Sequence, residues 1–155
     1  HLYGLPQTGL RFFTVYGPWG RPDMAYYGFA QAIMAGQPIT LYDGGTLKRD
    51  FTYIDDIVSG VVGVLDRPPS PDESPRLLNI GNNHAEKVTD LVRLLEAGLG
   101  RAAIIQTRPR PAADVMETWA SVDRLAALTG YAPTTSLAAG IPRFVDWFKV
   151  YHGVS

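Results

Sequence analysis

The chain contains no cysteine, which removes disulfides, thiolate zinc sites, iron–sulfur clusters and cysteine nucleophiles together. Lysine is scarce as well. Lys48, Lys87 and Lys149 are the only three, and with the arginines they make 14 basic residues against 15 acidic ones. So even a balance leaves no electrostatic footprint for nucleic acid. No apolar run approaches the ~20 residues of a membrane span, and no signal-peptide pattern opens the sequence. His1, His84 and His152 lack metal-ligand spacing, and no serine sits in a nucleophile-elbow pattern. What is present is ordinary for a soluble globular protein: 46% hydrophobic and 19% charged residues over 155 positions, long enough for one domain that buries roughly two-thirds of its unfolded surface. The opening His1-Leu2-Tyr3-Gly4 has no initiator methionine, as expected of a segment cut from a longer chain.

The pattern along the chain predicts an α/β mixture with short strands and about five helices. Leu10–Val15 is a nearly continuous aromatic and β-branched run stopped by Gly17-Pro18. It reads as a central strand of a parallel sheet, covered on both faces. Met24–Ala35 has helical spacing and a stop at Gly36. Ile39–Tyr42 and Phe51–Ile54 read as strands around the turn Asp43-Gly44-Gly45, with Lys48-Arg49 at the mouth of a short hairpin. Ile54–Leu65 carries the pattern of a strongly buried helix, in which Gly60 and Gly63 serve packing. Ser70–Pro75 is an exposed proline-rich loop. Leu77–Ile80 and Ile104–Thr107 are further strands, and Val88–Leu99 is an amphipathic helix stopped by Gly100. Helices over Val122–Leu128 and Leu137–Tyr151 finish the chain, the last accepting Pro142 only near its first turn.

Few segments have the composition for chemistry. Gly17-Pro18-Trp19-Gly20-Arg21-Pro22-Asp23 links a strand to a helix, where open α/β sheets hold ligands. It serves either as a rigid loop or as a site in which Arg21 offers paired donors to a carboxylate or phosphate. Lys48-Arg49 reads as a solvated surface pair unless it converges with Arg108, Arg110 and Asp114. Arginines and an acid together suit a nucleotide diphosphate, with guanidinium on phosphate and carboxylate on ribose. Asp55-Asp56 are adjacent at a helix start and do not face each other, so helix N-capping is favoured over a catalytic carboxylate pair.

Four blocks carry a resemblance that covers essentially the whole chain. They are Leu10-Arg11-Phe12-Phe13-Thr14-Val15-Tyr16-Gly17-Pro18-Trp19-Gly20-Arg21-Pro22-Asp23-Met24-Ala25, Lys48-Arg49-Asp50-Phe51-Thr52-Tyr53-Ile54-Asp55-Asp56-Ile57-Val58, Asn79-Ile80-Gly81-Asn82-Asn83-His84 and Leu128-Thr129-Gly130-Tyr131-Ala132-Pro133-Thr134-Thr135-Ser136-Leu137. Together they resemble the extended short-chain dehydrogenase/reductase superfamily, and within it the UDP-glucuronate 4-epimerases. The resemblance implies that residues 1–155 correspond to the carboxy-terminal, substrate-binding lobe of an extended Rossmann-type enzyme. On that reading Leu10–Val15 is a strand of the Rossmann sheet, and the amino-terminal NAD-binding domain lies outside this chain. The family's catalytic Tyr-x-x-x-Lys pair is absent: none of the eight tyrosines is followed by lysine four residues later.

The implied reaction of the intact enzyme passes a hydride from sugar C4 to NAD, turns the 4-keto sugar over and returns the hydride to its other face. That ketone lies β to the C5 carboxylate, so epimerisation without loss of carbon dioxide requires the carboxylate to be held. By resemblance Thr14 and Arg21 contact the carboxylate, Tyr42 stacks on uracil, Arg49 meets the diphosphate, Asp114 bonds the ribose and Phe13 lines the nicotinamide side. The family usually has Arg or Gln three residues before the acid and glycine immediately before it, where this chain has Pro111 and Ala113. Either Arg110 takes over that phosphate contact or the contact is absent. The resemblance further implies a cytoplasmic homodimer for the parent enzyme, with no nucleic-acid or membrane partner. A related dehydratase, decarboxylase or UDP-hexose 4-epimerase, or a non-catalytic nucleotide-sugar-binding module, is the alternative.

Overall fold

In the computed structural model, which describes residues 3–154, the chain runs β1 (Thr8–Phe12), β2 (Thr14–Tyr16), α1 (Ala25–Ala35), β3 (Pro38–Tyr42), β4 (Lys48–Arg49), β5 (Phe51–Tyr53), α2 (Ile54–Leu65), β6 (Arg76–Ile80), β7 (Glu86–Lys87), α3 (Val88–Leu99), β8 (Ile104–Arg108), α4 (Asp123–Thr129) and α5 (Leu137–His152). Left-handed backbone at Gly36, Gly100 and Gly130 closes α1, α3 and α4, the conformation glycine reaches without a Cβ penalty. The strands pair two by two. β1–β6, β2–β5 and β3–β8 are parallel, and β4–β7 is antiparallel. Of the three histidines, His1 lies outside the described residues.

Leu10–Val15 is not one strand. The ladder breaks at Phe13, whose N–H reaches the Ile80 carbonyl at 3.2 Å while the Thr14 N–H turns to the Asp50 carbonyl at 3.0 Å. The chain therefore leaves β6 and joins β5 within one residue. Nor is β1 covered on both faces: among the described residues its one strand neighbour is β6, and Phe12 is 52% exposed. The expected hairpin at Lys48 is also absent, because β4 pairs with β7 and β5 with β2. Helix α2 buries only the face carrying Asp56, Ile57, Gly60 and Val64, leaving Val58, Val61, Val62 and Leu65 exposed, since no described element packs on that side. Pro142 is accommodated in the second turn of α5 rather than the first.

Besides a small group of Ile39, Leu41 and Val92 that joins β3 to α3, two apolar clusters hold these pieces. The larger is built from α1, α3 and α5 over β2 and β5, with Tyr16, Tyr26, Leu91, Leu95, Phe144 and Phe148 at its centre. Each fully buried side chain of this size contributes about 1.5–3 kcal/mol relative to exposure. The smaller packs α2 and α4 against β6 through Ile57, Leu78, Ile80, Leu125 and Tyr131. Gly60 lies in it for the predicted reason: a Cβ there would sit 2.5 Å from Ile80 Cδ1 and 2.9 Å from the Tyr131 ring.

Candidate functional site

The break at Phe13 opens a groove at the carboxyl ends of the parallel strands, the place where a change of strand partner leaves a crevice. Three adjoining cavities make up the groove. One of about 470 Å³ is bounded by Phe13, Gly17, Trp19, Arg21, Met24 and Tyr26. The second, about 340 Å³, shares Met24 and Tyr26 and adds Thr14, Tyr42, Arg49 and Asp114. The third, about 640 Å³, is bounded by Phe13, Thr14, Asn79, Arg49, Asp114 and Thr118. Five of the sequence-predicted residues, Phe13, Thr14, Tyr42, Arg49 and Asp114, thus share one groove, and Arg21 stands at its far end beyond Met24.

The loop that carries Arg21 is built tightly. Gly17 adopts φ +138° and Trp19 φ +61°. A Cβ on Gly20 would overlap the Tyr26 hydroxyl, which donates to the Gly17 carbonyl at 3.4 Å. Trp19 packs against Trp147 and Tyr151 of α5 with ring centroids 5.4 and 5.5 Å away. Arg21 itself is exposed and lies 3.2 Å from the Asp23 carboxylate, so an anion there competes with a weak surface pair.

The other end of the groove is electrostatically denser. Arg49 is no free surface cation: its guanidinium donates to the Lys48 carbonyl at 2.8 Å and to Asp114 Oδ1 at 2.6 Å. Lys48 does lie at the surface, 3.2 Å from Glu117. The segment carrying Asp114 is stitched to β4, with the Lys48 N–H on the Met116 carbonyl at 2.9 Å and the Thr118 N–H on the Lys48 carbonyl at 3.2 Å. Tyr42, at the carboxyl end of β3, keeps 39% of its surface exposed, which leaves a ring face for stacking. Arg108 ends β8 exposed and outside the groove. Arg110 does not border any of the three cavities. Its N–H donates to Asp43 Oδ1 at 3.0 Å, and its guanidinium reaches the Asp114 carbonyl.

Tyr16 and Tyr26, which border the groove, are not poised as bases. Burial pushes the Tyr26 hydroxyl up to about 12, and Tyr16 beside it is driven higher still, again chiefly by burial. Both stay protonated at neutral pH. His84 lies 3.9 Å from Glu86, and His152 meets the Tyr27 hydroxyl at 2.9 Å.

Two acids were misjudged by the sequence. Asp50 escaped notice, yet it is fully buried and accepts from the N–H groups of Asn82, Asn83 and Ala120 and from the Thr52 hydroxyl. Its one sequence signal is an acid between strand residues in an apolar setting. Asp56, expected to cap its own helix, instead accepts from Thr134 N–H and Oγ1 and from Thr135 N–H at 3.1, 3.3 and 3.0 Å. It is buried and turned away from the start of α2, toward the strand of chain that enters α5.

Residues 1–81 match the NAD dependent epimerase/dehydratase family. The chain belongs to that family. UDP-glucuronate 4-epimerase 6 of Arabidopsis thaliana is 46% identical over 167 residues, covering 99% of this chain and 36% of the plant protein. UDP-glucuronic acid 4-epimerase from Bacillus cereus, solved with UDP-glucuronic acid and NAD, superposes with a TM-score of 0.85 at 33% identity over 95% of this chain and 46% of its own. A UDP-glucose 4-epimerase from Thermotoga maritima, solved with UDP-glucose, gives a TM-score of 0.84 at 25% identity over 97% of this chain and 48% of its own. The chain thus spans half or less of the length of these relatives. The mixed α/β fold with short parallel strands is the fold of these family members, and it is common to epimerases of glucuronate and of glucose. The substrate is therefore a question for the side chains of the groove.

Proposed function

We infer that this chain is the UDP-sugar-binding lobe of an NAD-dependent UDP-glucuronate 4-epimerase, whose intact form interconverts UDP-glucuronate and UDP-galacturonate. The observation that carries the reading is the convergence of Tyr42, Arg49, Asp114 and Thr14 on one groove with Arg21 at its far end. Tyr42 stacks on uracil, and Asp114 accepts from the ribose hydroxyls. Arg49 turns its guanidinium to the diphosphate, an exchange of one anion partner for another that keeps the charge paired. Thr14 and Arg21 hold the sugar carboxylate by donating to it, which restrains the 4-keto sugar from decarboxylating.

NAD supplies the hydride acceptor and donor at sugar C4 when bound. The residues here fit one side of it. Phe13 beside the half-exposed Phe12 forms an apolar wall suited to the nicotinamide ring, while the sequence holds neither a glycine-rich phosphate loop nor the Tyr-x-x-x-Lys pair. This chain's own work is to bind, orient and retain the carboxylate. No helix among the described residues is long and apolar enough to cross a membrane, and on the family resemblance the parent enzyme is a cytoplasmic homodimer.

Thermal denaturation with UDP tests the lobe. A ligand held by the folded state alone stabilises it by about 2.7 kcal/mol at a hundred times its Kd, so saturating UDP should raise the melting temperature by several degrees; no rise would remove the reading. UDP-glucuronate should bind more tightly than UDP-glucose, and Arg21→Ala should erase about 10-fold of that preference, the worth of one charge-assisted contact.

A further inference from the structure

Arg110 forms four polar contacts, none of them directed into the groove. Its backbone N–H donates to Asp43 Oδ1 at 3.0 Å. Its Nε is enclosed and lies 3.5 Å from Asp43 Oδ2, an ion pair without hydrogen-bond geometry. Its Nη1 donates to the main-chain carbonyl of Asp114 and reaches that of Pro111 at 3.5 Å. Asp43 is itself fixed. It takes a left-handed backbone, φ +46°, and its carbonyl accepts from the Thr46 hydroxyl at 2.9 Å.

These contacts bridge two separate pieces of chain. Asp43 directly follows Tyr42 at the end of β3, and Asp114 lies beyond the end of β8. The β3–β8 ladder stops at the pair Tyr42 and Arg108, so nothing in the ladder itself fixes the distance between the ring of Tyr42 and the carboxylate of Asp114. Arg110 spans that gap. A phosphate contact would require its guanidinium to leave both Asp43 and the Asp114 carbonyl, whereas Arg49 already faces two of the cavities.

Building on the nucleotide-sugar reading above, we propose that Arg110 is a positioning residue for the nucleoside: with Asp43 it latches the stacking ring of Tyr42 to the ribose-binding Asp114, and it does not touch phosphate. Holding both elements in their binding geometry lowers the ordering cost of association. That benefit is the same for any ligand with a uridine, whatever its number of phosphates.

The test titrates uridine and UDP into the chain by NMR. In Arg110→Ala both ligands should weaken by the same factor, about 5-fold, and Asp43→Ala should do likewise. The double variant should be no worse than either single one, as expected for two halves of one latch. Arg49→Ala is the contrast and should weaken UDP far more than uridine. A loss in Arg110→Ala confined to UDP would make Arg110 a phosphate ligand and overturn the latch, and unchanged binding of both ligands would overturn it as well. Should Arg110→Ala fail to fold, Asp43→Asn, which keeps the side-chain shape, carries the same comparison. Failure of the unaltered chain to bind either ligand would instead remove the nucleotide-sugar reading on which the latch rests.

Discussion

Asp50 shows how much one side chain can hold. Its carboxylate gathers the loop after β6 through Asn82 and Asn83 at 2.7 and 3.1 Å, the approach to α4 through Ala120 at 2.8 Å, and Thr52 of β5 at 2.8 Å. The Ala120 and Thr52 donors are buried, and each buried donor left unpaired costs about 1–3 kcal/mol. Asp50→Ala should therefore destabilise the chain by about 3 kcal/mol or more, read as a lowered urea midpoint. A loss under about 1 kcal/mol would mean the donors find other partners. The neighbouring Arg49 was legible as a candidate because its chemistry is distinctive. Asp50 was not, because a structural acid has the same spelling as a solvated one until its donors, distant in sequence, are folded around it.

At the level of elements, two glycines in helices have opposite meanings. Gly60 of α2 faces Ile80 and Tyr131 at distances that leave no room for a methyl group. Gly60→Ala gains about 1 kcal/mol of helix propensity but overpacks the interface by about 1–3 kcal/mol, so a net loss of stability is expected. Gly28 of α1 has nothing within 4 Å of the same added atom, and Gly28→Ala should stabilise by about 0.5–1 kcal/mol. Denaturant midpoints of the two variants should move in opposite directions, and a shift of the same sign in both would refute the packing argument. Periodicity foretold both helices and their ends. The sequence singled out Gly60 for packing but gave no role to Gly28, and periodicity could not show that α2 would leave Val58, Val61 and Val62 exposed, because it reports an apolar face and not what covers it.

For the whole molecule, the core is rich in buried phenols. Burial raises Tyr16, Tyr53 and Tyr131 above the ordinary value near 10 and takes Tyr26 to about 12. Between pH 10 and 12 the unfolded chain releases these protons while the folded one keeps them. The unfolded state then binds fewer protons, so stability is complete below pH 10 and falls as pH rises, by up to about 1.4 kcal/mol per pH unit for each tyrosine. Urea midpoints should be level from pH 7 to 9 and drop steeply from 10 to 11.5, and Tyr26→Phe should shallow the drop by about one proton. A flat profile would show that the phenols are reached by water before unfolding.

The sequence by itself determined the family, the α/β class, the helix ends at Gly36, Gly100 and Gly130, and the residue types of the groove. These follow from local chemistry: turn-forming glycines, apolar periods, and motifs in which neighbouring residues act together. Only the tertiary structure decided that the strand breaks at Phe13, that Lys48-Arg49 belongs to β4 against β7 rather than to a hairpin, and that Arg49 meets Asp114 while Arg110 turns to Asp43. Each of these is a choice among partners far apart in sequence, settled by packing and charge pairing that no single segment contains.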